Sequence, residues 1–303
     1  MMDKVEIKNI EPEYIHSSNA IFHFMKEADY LEKAILNKGL CPRYCEEKVG
    51  YLGLRDVSQE AINIMSVLQK CFCDIPLHCI GKRFPLKVID DTSGLDEEIV
   101  KKLNAGSTHT DFYGEYGIAF SKTWAKKKNI QPVHYISEES TYRDQFKKNF
   151  EFILSRDDID NLVVSDVISR LAYYKPLYGE MTRTINNKKI RILKNFCDEC
   201  EWRYVPPEES LEKCRITSVI FDDELLKLSN QTSNRLSGDE YREDLWLNYE
   251  YQDIRYLIVP DNAARKKLID YIVNLNINSD DEKQEKYLLI SKILVMENIR
   301  KDF

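Results

Sequence analysis

The sequence predicts an α+β fold in which a mixed sheet carries flanking helices, and three observations predict it. Segments with strand character and segments with helical periodicity succeed one another along the chain. At 303 residues, 43 % hydrophobic and 11 % aromatic, the chain can bury a full core. The strand and helices after the polar run Ser229–Asp244 are too few to bury a core of their own. Residues 1–303 are therefore expected to form a single domain, with 87–110 as a candidate insertion and 229–244 as a polar loop.

Each element follows from local pattern. "AIFHFM", residues 20–25, is a short apolar run that reads as a strand. In "EADYLEKAILNKGL" Leu31, Ala34 and Ile35 stand at helical spacing, and Gly39 offers a left-handed stop. "SQEAINIMSVLQK" places Ala61, Ile64, Met65 and Leu68 on one helical face and runs into "CFCDIPLHCI", a strand closed by Pro76. "YGEYGIAF" is a strand ending at Ser121, which caps the helix "KTWAKKK", and "QPVHYI" is the next strand. Tyr142, Phe146, Phe150 and Ile153 form the stripe of one helix, and "NLVVSDVISRLAYYKP" supplies a second. "KKIRILKN" and "CDECEWRYV" then read as adjacent strands, and "DIRYLIVP" as a later strand before the helix "NAARKKLIDYIVNL".

Charge and cysteine content narrow the function classes. Lys plus Arg at 44 against Asp plus Glu at 51 gives −7, which advertises no nucleic-acid or membrane surface overall, although a local basic groove stays open. The first residues hold no apolar leader core and no window is apolar enough to span a bilayer, so a cytoplasmic location is expected. The eight cysteines are expected to be thiols. Cys41 with Cys45 and Cys197 with Cys200 would be the natural zinc set. Their loose spacing and strand-like setting favour buried thiols, and no metal is expected.

The residues with chemical potential lie on two strands. In "CDECEWRYV" alternation puts Glu199, Glu201 and Arg203 on one face and Cys200, Trp202 and Tyr204 on the other. The polar face reads either as a solvated ion-pair ladder or as a carboxylate pair for acid/base work, with the arginine holding an anion. His23, central in "AIFHFM", is either a satisfied core histidine or a working one. Gly114 and Gly117 mark a bulge, a turn or a close approach. Neither a phosphate-binding loop, a dinucleotide fingerprint, a nucleophile elbow nor a zinc-protease motif is present.

Several blocks in order, "HFMKEADYLEKAILNKGLCPRY", "CFCDIPL", "YGEYGIAFSKTWAKKKNIQPVHYI", "YYKPLYGE", "FCDECEWRYVPP" and "DIRYLIVP", resemble the AbiGi-type abortive-infection family of phage-resistance proteins, an antitoxin-type family. The resemblance implies a role in phage defence or in a toxin–antitoxin pair, with a protein partner encoded nearby. The family's aromatic and arginine at the positions of Cys197 and Cys200 weaken the zinc reading further.

More distantly, the order of a histidine strand, a helix, a "YGIAF"-like strand and a late glutamate strand resembles the ADP-ribosyltransferase fold. That resemblance implies NAD as substrate, with His23 on its ribose and Glu199 or Glu201 beside the oxocarbenium-like ribose as nicotinamide leaves. Arg203 would join the cofactor site. Where the family carries an aromatic on nicotinamide this chain has Ala119, so Tyr116 or an aromatic from "CFCDIPL" would have to substitute. Two readings stay open: an antitoxin-like or sensing partner, and an active transferase or NAD glycohydrolase acting on a nucleic-acid or protein acceptor.

Overall fold

A computed structural model describes residues 17–277 and 281–302; the stretch 1–14, read above for a leader, lies outside them. The architecture is mixed α and β. Among the described residues nine strands form the main sheet, and its central path runs Ile293–Val295, Ile254–Val259, Tyr116–Ser121, Ala20–Met25, Ile64–Cys73, Glu201–Tyr204, Gln131–Pro132. Arg43–Lys48 and Val219–Ile220 pair with the first half of Ile64–Cys73. Ile254–Val259 and Ile293–Val295 are parallel, and the other pairs of this sheet are antiparallel.

The central strand Ala20–Met25 is buried on both faces because its alternate residues serve two cores. Ile21 and Met25 join Ile118, Phe120 and Leu257 beneath the helices Ala28–Asn37 and Asn262–Asn274, which contribute Leu31, Ile35, Leu268 and Ile272. Phe22 and Phe24 face the other way, toward Ala119, Ile258, Ile80 and Met296. A third core lies under the helix pair Thr141–Leu154 and Asn161–Leu171, where Phe150, Val167 and Leu171 meet Met65 and Val67. Burial of these side chains is the main driving force, at about 1.5–3 kcal/mol for each large one.

Four expectations are corrected. The helix expected over residues 58–70 is instead the strand Ile64–Cys73. Met65, Ser66, Val67, Leu68 and Gln69 are all buried, because strands flank both edges and structure covers both faces. Such a continuous run has no period of its own, and the i, i+3, i+4 matches were coincidental. The helix Ala28–Asn37 is stopped by Lys38 in the left-handed region, φ 46°, and not by Gly39. The polar run 229–244 is mostly helical: Asp222 caps the helix Asp223–Arg235, and Arg242–Leu245 adds another turn. Ser229 and Ser233 lie on the buried side of the longer helix, and Ser233 Oγ accepts from the Tyr44 amide at 2.9 Å.

The fourth correction bears on the site. "CDEC" is not strand: Phe196–Glu199 forms a 3-10 turn and Cys200 sits at φ 44°, so the strand begins at Glu201. Nor does "KKIRILKN" pair with it. Lys188–Asn195 forms a hairpin with Tyr178–Ile185, in a second sheet completed by Lys87–Val88. The hairpin turns at Asn186 and Asn187, both with positive φ of 47° and 62°, the pair of left-handed residues that a tight turn between twisted strands requires. The candidate insertion 87–110 contributes that third strand and the helix Glu97–Asn104, whose Ile99 and Leu103 cover Ile190 and Ile192.

Candidate functional site

The sheet splits at its centre. Ala20–Met25 stays in register with Tyr116–Ser121 throughout, but pairs with Ile64–Cys73 only at Phe22↔Cys73. Beyond that point the ladder gives way to a side chain, His23, whose Nδ1 lies 2.8 Å from the Cys71 carbonyl oxygen. That oxygen can only accept, so Nδ1 carries the proton. A cavity of about 340 Å³ opens in the split, with Phe22, Phe24 and Phe72 among its walls and His23, Glu199 and Glu201 in its lining.

Three of the residues expected at a site therefore meet in one cavity, and two lie elsewhere. Tyr116 stands opposite Met25 and packs against the core under the helices. Arg203 is fully buried behind the cavity, where Nε donates to Glu201 at 2.6 Å, Nη2 to Glu47 at 2.7 Å and Nη1 to the Ala172 carbonyl at 2.8 Å. That carbonyl closes the C-terminal end of the helix Asn161–Leu171, where a cation is favoured by the helix dipole. With its fork committed to two carboxylates and a helix end, Arg203 positions Glu201.

The carboxylates form a balanced buried network. Glu199 and Glu201 are each only 4 % exposed. Glu201 is held by Arg203 and by Lys175; Glu199 by Lys194, by the Tyr113 hydroxyl and, at 3.3 Å, by Lys175. Gln69 Nε2 donates to Glu47 at 2.9 Å. Burial alone would raise the Glu201 pKa, but Arg203 and then Lys175 outweigh it and bring it to about 2. Burial likewise opposes ionisation of Glu199, and Lys175 and Lys194 hold it below the usual carboxylate range.

The histidines, thiols and phenol of the cavity are neutral, and Lys70 and Arg43 add two cations to its lining. Burial, and then the Lys70 charge, push His23 down to about 3. Burial lowers His109 to about 4, its ring lying 4.6 Å from that of Tyr113. Burial and the adjacent carboxylates push the thiols of Cys71 and Cys73 and the Tyr113 phenol well up, so each keeps its proton. At neutral pH the cavity presents aromatic walls, protonated hydroxyl and thiols, and carboxylates already neutralised by cations, an arrangement better suited to binding than to proton transfer. Among the described residues no three His, Cys, Asp or Glu side chains are grouped to hold a metal.

The comparisons agree on a family. Residues 102–260 match the family described as "Putative abortive phage resistance protein AbiGi, antitoxin". The chain is also 30 % identical over 273 residues to the abortive phage resistance protein AbiGi of Lactococcus lactis subsp. cremoris, a match covering 86 % of this chain and 98 % of that protein. This chain belongs to the AbiGi family. Phage defence is thus the setting of its function. No solved structure matches it. Among the described residues of this AbiGi protein no helix is long and apolar enough to cross a membrane.

Most of the charged network, including Tyr113, Lys175, Lys194, Glu199, Glu201 and Arg203, lies inside the segment matched to AbiGi, whereas His23, Glu47 and Lys70 come from the strands before it. Sequence reasoning singled out none of Lys175, Lys194, Tyr113, His109 or Glu47. One signal was available for Lys194. Alternation along Lys188–Asn195 puts it on the same face as Ile190 and Ile192, both buried, and a lysine at a core position needs a counter-ion.

Proposed function

We propose that this AbiGi protein is an antitoxin-like or sensing partner in phage defence, built on an ADP-ribosyltransferase-like scaffold whose cleft has kept a dinucleotide-binding role without turnover. The observation that carries this reading is the state of Glu201. A carboxylate that stabilises an oxocarbenium-like ribose works by its uncompensated charge. Glu201 instead has Arg203 on one oxygen and Lys175 on the other, so its charge is spent within the protein. Ala119, fully buried beside Phe22, adds to the reading, since no aromatic stands there to pack on a nicotinamide. The description of the matched family as an antitoxin supports a protein partner.

The alternative is an active NAD-dependent transferase or glycohydrolase. It is favoured by the meeting of His23, Glu199 and Glu201 in one cavity. The test is to mix the purified chain with labelled NAD, alone and with cell extract, and to co-express it with the neighbouring gene product. A sensing partner binds NAD, releases no nicotinamide, and forms a complex that restores growth. Nicotinamide release that Glu201→Gln abolishes would replace this reading with the enzymatic one.

A further inference from the structure

The cavity in the split is lined by two unlike sets of charged side chains. In one, every carboxylate has its cation. The other is Lys70 and Arg43, and neither has an acidic partner among the described residues. Arg43 reaches only the Asn234 side-chain oxygen, at 2.9 Å. Lys70 lies in the middle of the long strand and lines the cavity, with no hydrogen bond or ion pair among the described residues. The groups whose charges act on it are Cys45, Cys41, Cys71 and Arg43, none of them a carboxylate. Burial pushes its amine below the usual lysine range, against the opposing pull of Cys45, Cys41 and Cys71.

Two further observations point to a ligand. Gln69, 1 % exposed and part of the same lining, leaves its Oε1 without a hydrogen-bond partner. A buried acceptor left so is unfavourable unless something donates to it, and a ribose hydroxyl is such a donor. The charges also do not balance: Lys175 in the lining, with Lys194 and Arg203 behind it, already matches Glu47, Glu199 and Glu201, which leaves Arg43 and Lys70 as an excess of positive charge in a chain whose net charge is −7.

We infer that the Lys70–Arg43 pair in the cavity lining is a diphosphate subsite: it takes the two ionised phosphates of a nucleoside diphosphate or dinucleotide, with Gln69 accepting from a neighbouring hydroxyl. The excess of two cations over carboxylates matches the two charges of a dinucleotide's diphosphate. This deepens the dinucleotide-sensing reading, on which it rests, by giving the ligand an orientation: phosphates toward Lys70, and the base and sugar along the phenylalanine walls toward His23.

The test is equilibrium binding of ADP, inorganic pyrophosphate, adenosine and NAD to the full chain. The subsite predicts that ADP binds at least about tenfold more tightly than adenosine, and that Lys70→Met lowers ADP and NAD affinity by about that factor while leaving adenosine unchanged. Arg43→Gln, at the exposed rim, should weaken ADP in the same direction and serves if Lys70→Met fails to fold. Pyrophosphate that binds as well as ADP would assign the site to the free anion. Adenosine binding as tightly as ADP, or NAD affinity unchanged in both variants, overturns the subsite and leaves the sensing reading standing. Absence of NAD binding together with tight ADP binding removes the NAD reading and keeps the subsite.

Discussion

Arg203 Nε donates to Glu201 Oε1 at 2.6 Å, and neither side chain reaches solvent to any extent, at 0 % and 4 % exposure. A pair so placed has given up its hydration and depends on its partners. With Glu47 and Lys175 it forms a closed network that ties Glu201–Tyr204 and Arg43–Lys48 of the main sheet to the short strand Tyr174–Pro176 and to the end of the helix Asn161–Leu171.

Removing the guanidinium should therefore unfold more than a contact. Arg203→Met leaves Glu201 and Glu47 without their main cation and the Ala172 carbonyl without its donor. A loss of about 3–5 kcal/mol is expected, read as a lower midpoint at an unchanged slope in urea unfolding. A loss below about 1 kcal/mol would mean that the network relaxes around the gap.

Acid should act early. His23, at about 3 in the fold against 6.5 unfolded, and His109, at about 4 against 6.5, are neutral when folded and take up protons on unfolding. Their contribution is fully present above pH 6.5 and is lost as pH falls toward those folded values. Glu201, at about 2 against 4.5, adds its own loss only below pH 4.5. Unfolding free energy measured from about pH 7.5 to about pH 5 should fall by up to about 1.4 kcal/mol per pH unit for each histidine. His23→Gln should flatten that slope, and a slope unaltered in His23→Gln and in His109→Gln would contradict the assignment.

Gly114 is at φ 108°, and a Cβ there would lie 2.0 Å from the Met25 carbonyl oxygen. Gly114→Ala should destabilise by about 3 kcal/mol or more, because the loop before Tyr116–Ser121 cannot draw back without breaking its register with the central strand. Gly94, which has nothing within 4 Å, is the control: Gly94→Ala should change the midpoint of thermal unfolding little.

Much of this was legible in the sequence, and the gaps have physical causes. The central strand, the helix at Leu31, Ala34 and Ile35 and the Ser121 cap follow from local pattern, and the association of His23 with Glu199 and Glu201 was implied only by the resemblance to the ADP-ribosyltransferase fold. Ile64–Cys73 did not, because a strand covered on every side loses the alternation that identifies strands. The second sheet did not, because Tyr178–Ile185 alternates without an apolar face of its own and depends on Ile190 and Ile192 across the hairpin. The state of the carboxylates was out of reach for a different reason. Alternation puts Glu201 and Arg203 on one face but does not say whether that face is wet, and the cations that decide it, Lys175 and Lys194, come from elements with no sequence tie to Glu201.

That the cleft binds a dinucleotide and, with its carboxylates neutralised, does not turn it over is tested most directly by following NAD in one sample for both binding and nicotinamide release. Saturable binding that His23→Ala weakens, with no nicotinamide formed above the rate without protein, is the predicted result. Nicotinamide release by the parent chain that Glu201→Gln abolishes would contradict it.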